Sequence, residues 1–161
     1  VREASDEMRF AVLAPDSRGP TWDVIGGGFG PDLLFIDRAL ERVFTTSEID
    51  PSRVVAHGFS DGASYALSLG ITNGDLFRTI LALSPGFIAA GGAAGRPRIW
   101  ISHGTEDTVL PPDSTSRRLA PALERSGFHL RYTEFEGGHE TPKWLTTAAF
   151  RWWLEDDRAE A

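Results

Sequence analysis

Short apolar runs recur along the chain at residues 10–14, 53–57, 79–83 and 98–102, residues 129–135 read as a last strand, and segments of helical period lie between most of them. Parallel strands need long return connections, and helices supply them, so this alternation predicts an α/β fold: a mostly parallel sheet flanked by helices. The first run ends at Pro15-Asp16-Ser17-Arg18-Gly19-Pro20, a loop punctuated by Pro and Gly. Pro31 in a first-turn position, with Asp32 beside the positive end of the dipole, opens a helix carrying Leu33, Leu34, Ile36, Leu40, Val43 and Phe44, mostly on one face. A second helix is expected from 63 to about 69, closed by Asn73-Gly74. Residues 85–95, rich in Gly and Ala, join two strands and are too short for a cap domain. Asp113 or Ser114 is expected to cap a helix that runs through Arg125 and stops at Gly127. A last helix presents Trp144, Leu145, Ala148 and Trp152, and Glu155-Asp156-Asp157 reads as a solvated acidic tail.

The 161 residues fit one domain, 1–161, with no second domain needed. A formal net charge of -7, with no local run of Lys or Arg, repels phosphate backbones and anionic bilayers, which excludes nucleic acid and membrane as expected partners. No apolar stretch reaches the roughly 18 residues of a membrane span. There is no cysteine, so disulfides, thiolate nucleophiles and Cys-ligated zinc are ruled out together. The first residues, Val1-Arg2-Glu3-Ala4-Ser5-Asp6-Glu7, carry acids where a signal peptide is basic and then apolar. The default expectation is therefore a cytoplasmic location, for a chain whose listing begins without Met and is expected to be incomplete at its N-terminus.

Gly58-Phe59-Ser60-Asp61-Gly62 fits G-x-S-x-G and lies between an expected strand and an expected helix. That context gives the pattern its mechanical meaning. A nucleophile on a tight turn needs small residues two before and two after it, so that strand and helix backbones can approach. The turn sets Ser60 at a helix N-terminus, where the Asp61 backbone N–H would face a developing oxyanion.

A serine hydroxyl needs a base, and the base needs a carboxylate to fix its tautomer. Among four histidines, His57 lies three residues before Ser60 and is expected to pack beneath the turn, while His129 begins the last strand and is expected to be exposed. His103 starts a loop in which Gly104 suggests a backbone role. His139, in Glu136-Gly137-Gly138-His139, follows the final strand, at the carboxyl edge where open α/β sheets carry their sites. Two acids, Glu106 and Asp107, follow the preceding strand; the order Ser60, Asp107, His139 is the one this kind of sheet uses. No His-x-His or H-E-x-x-H spacing points to metal-assisted hydrolysis.

Further blocks extend the match: Leu13-Ala14-Pro15-Asp16-Ser17-Arg18-Gly19, Asp50-Pro51-Ser52-Arg53-Val54, His103-Gly104-Thr105-Glu106-Asp107-Thr108-Val109-Leu110-Pro111, and Gly137-Gly138-His139 with Pro142. Together they resemble the bacterial carboxylesterase/phospholipase family of α/β-hydrolases, near the polyhydroxybutyrate depolymerase-like esterases. The resemblance covers nearly the whole chain. It implies Ser60 as nucleophile, Asp107 rather than Glu106 as acid, and His139 as base. Acyl transfer to water through these groups needs no cofactor, and the short 85–95 connector leaves the site open, which favours a small or soluble ester as substrate. Trp22, Phe59, Phe87 and Leu110 are the expected substrate-binding side chains. The family also has an N-terminal strand ending in His-Gly that supplies a second oxyanion donor, and nothing in this chain matches it. Gly26-Gly27-Gly28-Phe29-Gly30 is no substitute, and it lacks the Gly-Lys-Ser/Thr of a phosphate cradle. The missing strand would lie between runs 10–14 and 53–57, so it is expected from a companion fragment or second copy, or else the sheet rearranges. The alternative from another class is a catalytically weak or inactive hydrolase-like subunit or binding module.

Overall fold

The computed structural model describes residues 1–155. Four parallel strands make the sheet: β1 (Val55–Phe59), β2 (Thr79–Leu83), β3 (Arg98–Gly104) and β4 (Leu130–Phe135), side by side in chain order. The register runs Val55 to Thr79 and Phe59 to Leu83, then Thr79 to Arg98, then Ile99 to Leu130 and Gly104 to Phe135. Strands β1 and β2 end level with Ser102, two residues short of the ends of β3 and β4, and the four carboxyl ends form one rim.

Helices α1 (Arg2–Met8), α2 (Pro31–Thr46), α3 (Asp61–Thr72), α4 (Ser116–Arg125) and α5 (Lys143–Glu155) complete the described elements. Side chains on a strand alternate between faces, so β2 and β3 feed two cores. Ile80, Ala82, Ile99 and Ile101 meet Leu67 of α3, Leu123 of α4 and Ile36 of α2. On the opposite face Leu81 and Trp100 meet Leu145, Ala149 and Phe150 of α5. All of β2 is buried, as expected of a strand covered by helices on both faces. Helix α1 is tied to α5 by Glu3 with Lys143 and by Glu7 with Arg151, at 3.3 Å. Among the described residues no helix is long and apolar enough to cross a membrane.

Several expectations need correction. Residues 10–14 are not a strand: Ala11 to Ala14 are exposed and lie outside the sheet, because no strand edge stands beside them to satisfy their backbone. Among the described residues β1 has a neighbour on one side only. Leu34 is 61% exposed, off the buried face of α2. Helix α3 runs to Thr72, beyond the expected end near 69. Neither Asp113 nor Ser114 caps α4; both lie in a separate 3-10 turn, Pro112–Ser114, and the cap position falls to Thr115. Trp144 faces outward from α5, 58% exposed. Of the acidic tail, Glu155 is exposed, and Asp156 and Asp157 lie outside the described residues.

Candidate active site

Ser60 stands between β1 and α3 with φ 59 and ψ -123, a left-handed conformation uncommon for a residue with a Cβ. The turn is held by Ser60 N–H donating to Leu83 O at 2.9 Å, and by Ala63 and Ser64 N–H donating to Ser60 O at 3.0 and 3.1 Å. It closes so tightly that a Cβ on Gly58 would sit 2.0 Å from the Gly62 carbonyl oxygen. Glycine is required there by space.

The loop after β3 brings Asp107 and the loop after β4 brings His139, and the two loops are stitched together. Thr105 N–H donates to Phe135 O and Glu106 N–H to Gly137 O, both at 2.9 Å. Gly104 lets them approach, since a Cβ there would fall 2.2 Å from Gly138 O. The structure brings Ser60, His139 and Asp107 into one hydrogen-bonded chain. His139 Nε2 is 2.8 Å from Ser60 Oγ, and His139 Nδ1 is 2.6 Å from Asp107 Oδ2. A carboxylate only accepts, so Nδ1 carries the hydrogen; in the neutral imidazole Nε2 then accepts from the Ser60 hydroxyl. Asp107 Oδ1 accepts from Val109 and Leu110 N–H at 2.9 and 2.8 Å. Burial alone would raise the Asp107 pKa, but the Leu110 N–H, the hydrogen bond and charge of His139, and the Val109 N–H hold it below the ordinary carboxylate value. Asp107 is thus an anion at neutral pH. Glu106, the rival acid, is exposed.

The other expected site residues surround this chain unevenly. Asp61 opens α3; its carboxylate accepts from Gly62 N–H at 2.8 Å and from Thr21 Oγ1, which ties the 16–30 loop to the elbow. The Phe59 ring lies 4.7 Å from the His139 ring. Trp22 packs on Tyr65, 4.6 Å between centroids, beside Gly62. Phe87 is half-buried against the α3 core, in a connector that Ser64 Oγ holds through Gly86 N–H at 2.9 Å. Leu110 lies over Gly86. A surface cavity of about 720 Å³ is lined by none of these residues; it lies beside α5, among Trp100, Arg131, Trp144 and Trp152.

The remaining histidines separate clearly. His57 is half-buried, its ring stacked on Phe150 at 5.1 Å with Nε2 out of contact with solvent, and desolvation pushes its pKa down to about 4. His129 is exposed. His103 differs from its expected place at the start of a loop: it lies inside β3, is wholly buried, and reaches Asp107 Oδ2 at 3.1 Å. The four-residue spacing of His103 and Asp107 across a strand end is the signal in the sequence that points to this contact.

The four parallel strands, their flanking helices and the elbow serine define an α/β-hydrolase fold. Several proteins it is similar to are named esterases, in line with the resemblance to bacterial carboxylesterases that the motifs carry. Esterase PE8 superposes with a TM-score of 0.67 at 26% identity, covering 76% of this chain and 60% of that one. The Bacillus cereus carboxylesterase shares the fold, with a TM-score of 0.62 at 22% identity, covering 77% of this chain and 61% of that one. By sequence, a probable feruloyl esterase C of Aspergillus niger is 32% identical over 102 residues, which are 63% of this chain and 37% of that protein. The chain thus spans between about a third and three fifths of the length of these relatives. No protein-family model matches it.

Proposed function

We propose that this chain carries the nucleophile, base and acid of a serine esterase acting on small or soluble carboxylic esters. One observation carries the reading: Ser60 Oγ, His139 and Asp107 Oδ2 are joined by hydrogen bonds of 2.8 and 2.6 Å. In this reading Ser60 Oγ attacks the ester carbonyl carbon while His139 Nε2 takes its proton. Asp107 stabilises the imidazolium so formed. Charge accumulates on the carbonyl oxygen, where the Asp61 N–H and the positive end of α3 favour it. His139 then returns the proton to the leaving alkoxide, and the ester carbon stays bonded to Ser60. Water, deprotonated by His139, releases the acid and restores Ser60. The likeness to a probable feruloyl esterase brings feruloyl esters within the same class.

One donor is modest support for an oxyanion, and a second is typically worth about 100 to 1000-fold in turnover. The unpaired outer edge of β1 is where a further strand carrying one would add, from a companion segment or a second copy. Replacing Ser60 by Ala is expected to cut hydrolysis of p-nitrophenyl acetate by more than about a thousandfold. Hydrolysis at the wild-type rate would exclude the mechanism.

A further inference from the structure

We propose that His103 is a positioning residue for Asp107 and, through it, for His139: it shares with His139 a single carboxylate oxygen, and so governs both the aim and the strength of the base. The inference rests on the reading of Ser60, His139 and Asp107 as a catalytic triad. His103 Nε2 lies 3.1 Å from Asp107 Oδ2 and 2.7 Å from Leu110 O. Both partners only accept, so Nε2 carries a hydrogen that is divided between them. At the other end of the ring, Nδ1 is 2.5 Å from the hydroxyl of Ser116, in the first turn of α4. His103 and Ser116 are both fully buried. The imidazole is therefore fixed from three places: its own strand, the loop at Leu110 and helix α4.

The Asp107 carboxylate is saturated. Oδ1 takes the N–H groups of Val109 and Leu110, and Oδ2 takes those of His139 and His103. Four donors from different directions prevent rotation about the carboxyl bond, which fixes the line from Asp107 through His139 to Ser60. Sharing Oδ2 has an electronic effect as well. Charge drawn toward His103 is unavailable to His139, so the imidazolium that forms during attack is stabilised less than by an unshared carboxylate. The first effect speeds the reaction; the second sets how strongly the carboxylate backs the imidazolium. Other charged groups lie nearby but do not touch Oδ2. Glu134 of β4, paired with Arg117 of α4 and bonded by Tyr132, is within electrostatic reach of His103. Glu106 and Glu140 flank the two loops, and Asp61 opens α3.

A merely structural role for His103 would slow the reaction equally at every pH, whereas a shared oxygen also moves the acid limb of the pH profile. The readout is the rate at which a fluorophosphonate labels Ser60, followed from pH 5 to 9 by intact mass. For His103→Phe we expect labelling at least tenfold slower at neutral pH, and an acid limb moved upward by roughly half to one pH unit. His103→Gln places an amide N–H toward the same oxygen and is expected to restore the limb and most of the rate. Ser116→Ala weakens the donor indirectly and is expected to move the limb in the same direction by less, so the test stands even where the phenylalanine variant does not fold. A limb unmoved in Ser116→Ala and His103→Phe, or displaced equally in His103→Gln, would overturn the inference alone. Wild-type protein that takes no label at Ser60 would overturn the triad reading and this inference with it.

Discussion

Ser60 holds a left-handed backbone that few serines adopt, and the turn that imposes it depends on the absence of a side chain at Gly58. A methyl group on Gly58 would lie 2.0 Å from Gly62 O and 2.3 Å from its carbonyl carbon, so backbone would have to move. Gly58→Ala is therefore expected to lose roughly 3 kcal/mol of stability, measured by denaturant unfolding, together with reactivity at Ser60. Gly28→Ala, where nothing lies within 4 Å of the added carbon, is expected to stay within about 0.5 kcal/mol of the parent. His57 gives a second residue-scale prediction. Burial depresses its pKa to about 4, below the roughly 6.5 of an unfolded histidine. Between these values the unfolded chain binds a proton that the folded chain refuses, so stability falls as pH drops from about 6.5 toward 4. Denaturant midpoints across that window should fall less steeply in His57→Leu than in the parent; equal slopes would contradict the assignment. The meeting of Ser60, Asp107 and His139 was legible because each stands in a short string whose spacing reports its own loop. The contacts of His103 were not, since its partners Ser116 and Leu110 come from a helix and a turn that only folding brings to it.

The elements matter through the rim they share. Strands β3 and β4 end together, and the loops that follow them are joined backbone to backbone, so His139 is aimed by β3 as much as by its own strand. Gly104 is the point of contact. A Cβ there would meet Gly138 O at 2.2 Å and Gly137 O at 2.4 Å and would push the histidine loop away. Misplacement of a base by about 1 Å can cost on the order of 100-fold in rate, so Gly104→Ala is expected to lower kcat by about that factor. A melting curve recorded beside the kinetics separates this displacement from loss of fold; unchanged kcat would show that the loop is aimed by other contacts. Strands β2 and β3 could be read from apolar runs because burial on both faces writes a nearly continuous signal. Helix faces were less legible: Leu34 and Trp144 fit an apolar pattern yet point outward, since one-dimensional spacing does not say how wide a stripe the neighbours cover.

At the scale of the molecule, the sheet has two open edges among the described residues, and the one at β1 lies next to the elbow. Residues 10–14 have strand composition and remain outside the sheet, with Val12 48% and Leu13 42% exposed. Propensity did not suffice there, because a strand exists only where a neighbour accepts its hydrogen bonds. If a companion or second copy supplies that neighbour, amide exchange along the outer edge of β1 should slow with rising protein concentration or on adding the partner. Esterase activity per molecule should rise in step. Exchange and activity that both ignore association would show that the described chain is self-sufficient.

In the proposed mechanism Ser60 forms a bond to the acyl carbon only because His139 accepts its proton. Mixing the protein with p-nitrophenyl acetate, quenching in acid and mapping the product by peptide mass spectrometry tests this directly. The expected result is one acetyl group on the peptide containing Ser60, absent in Ser60→Ala and formed at least a thousandfold more slowly in His139→Ala. Rapid ester hydrolysis with no acetyl group on that peptide, or acetylation that proceeds equally well without the imidazole, would contradict the account.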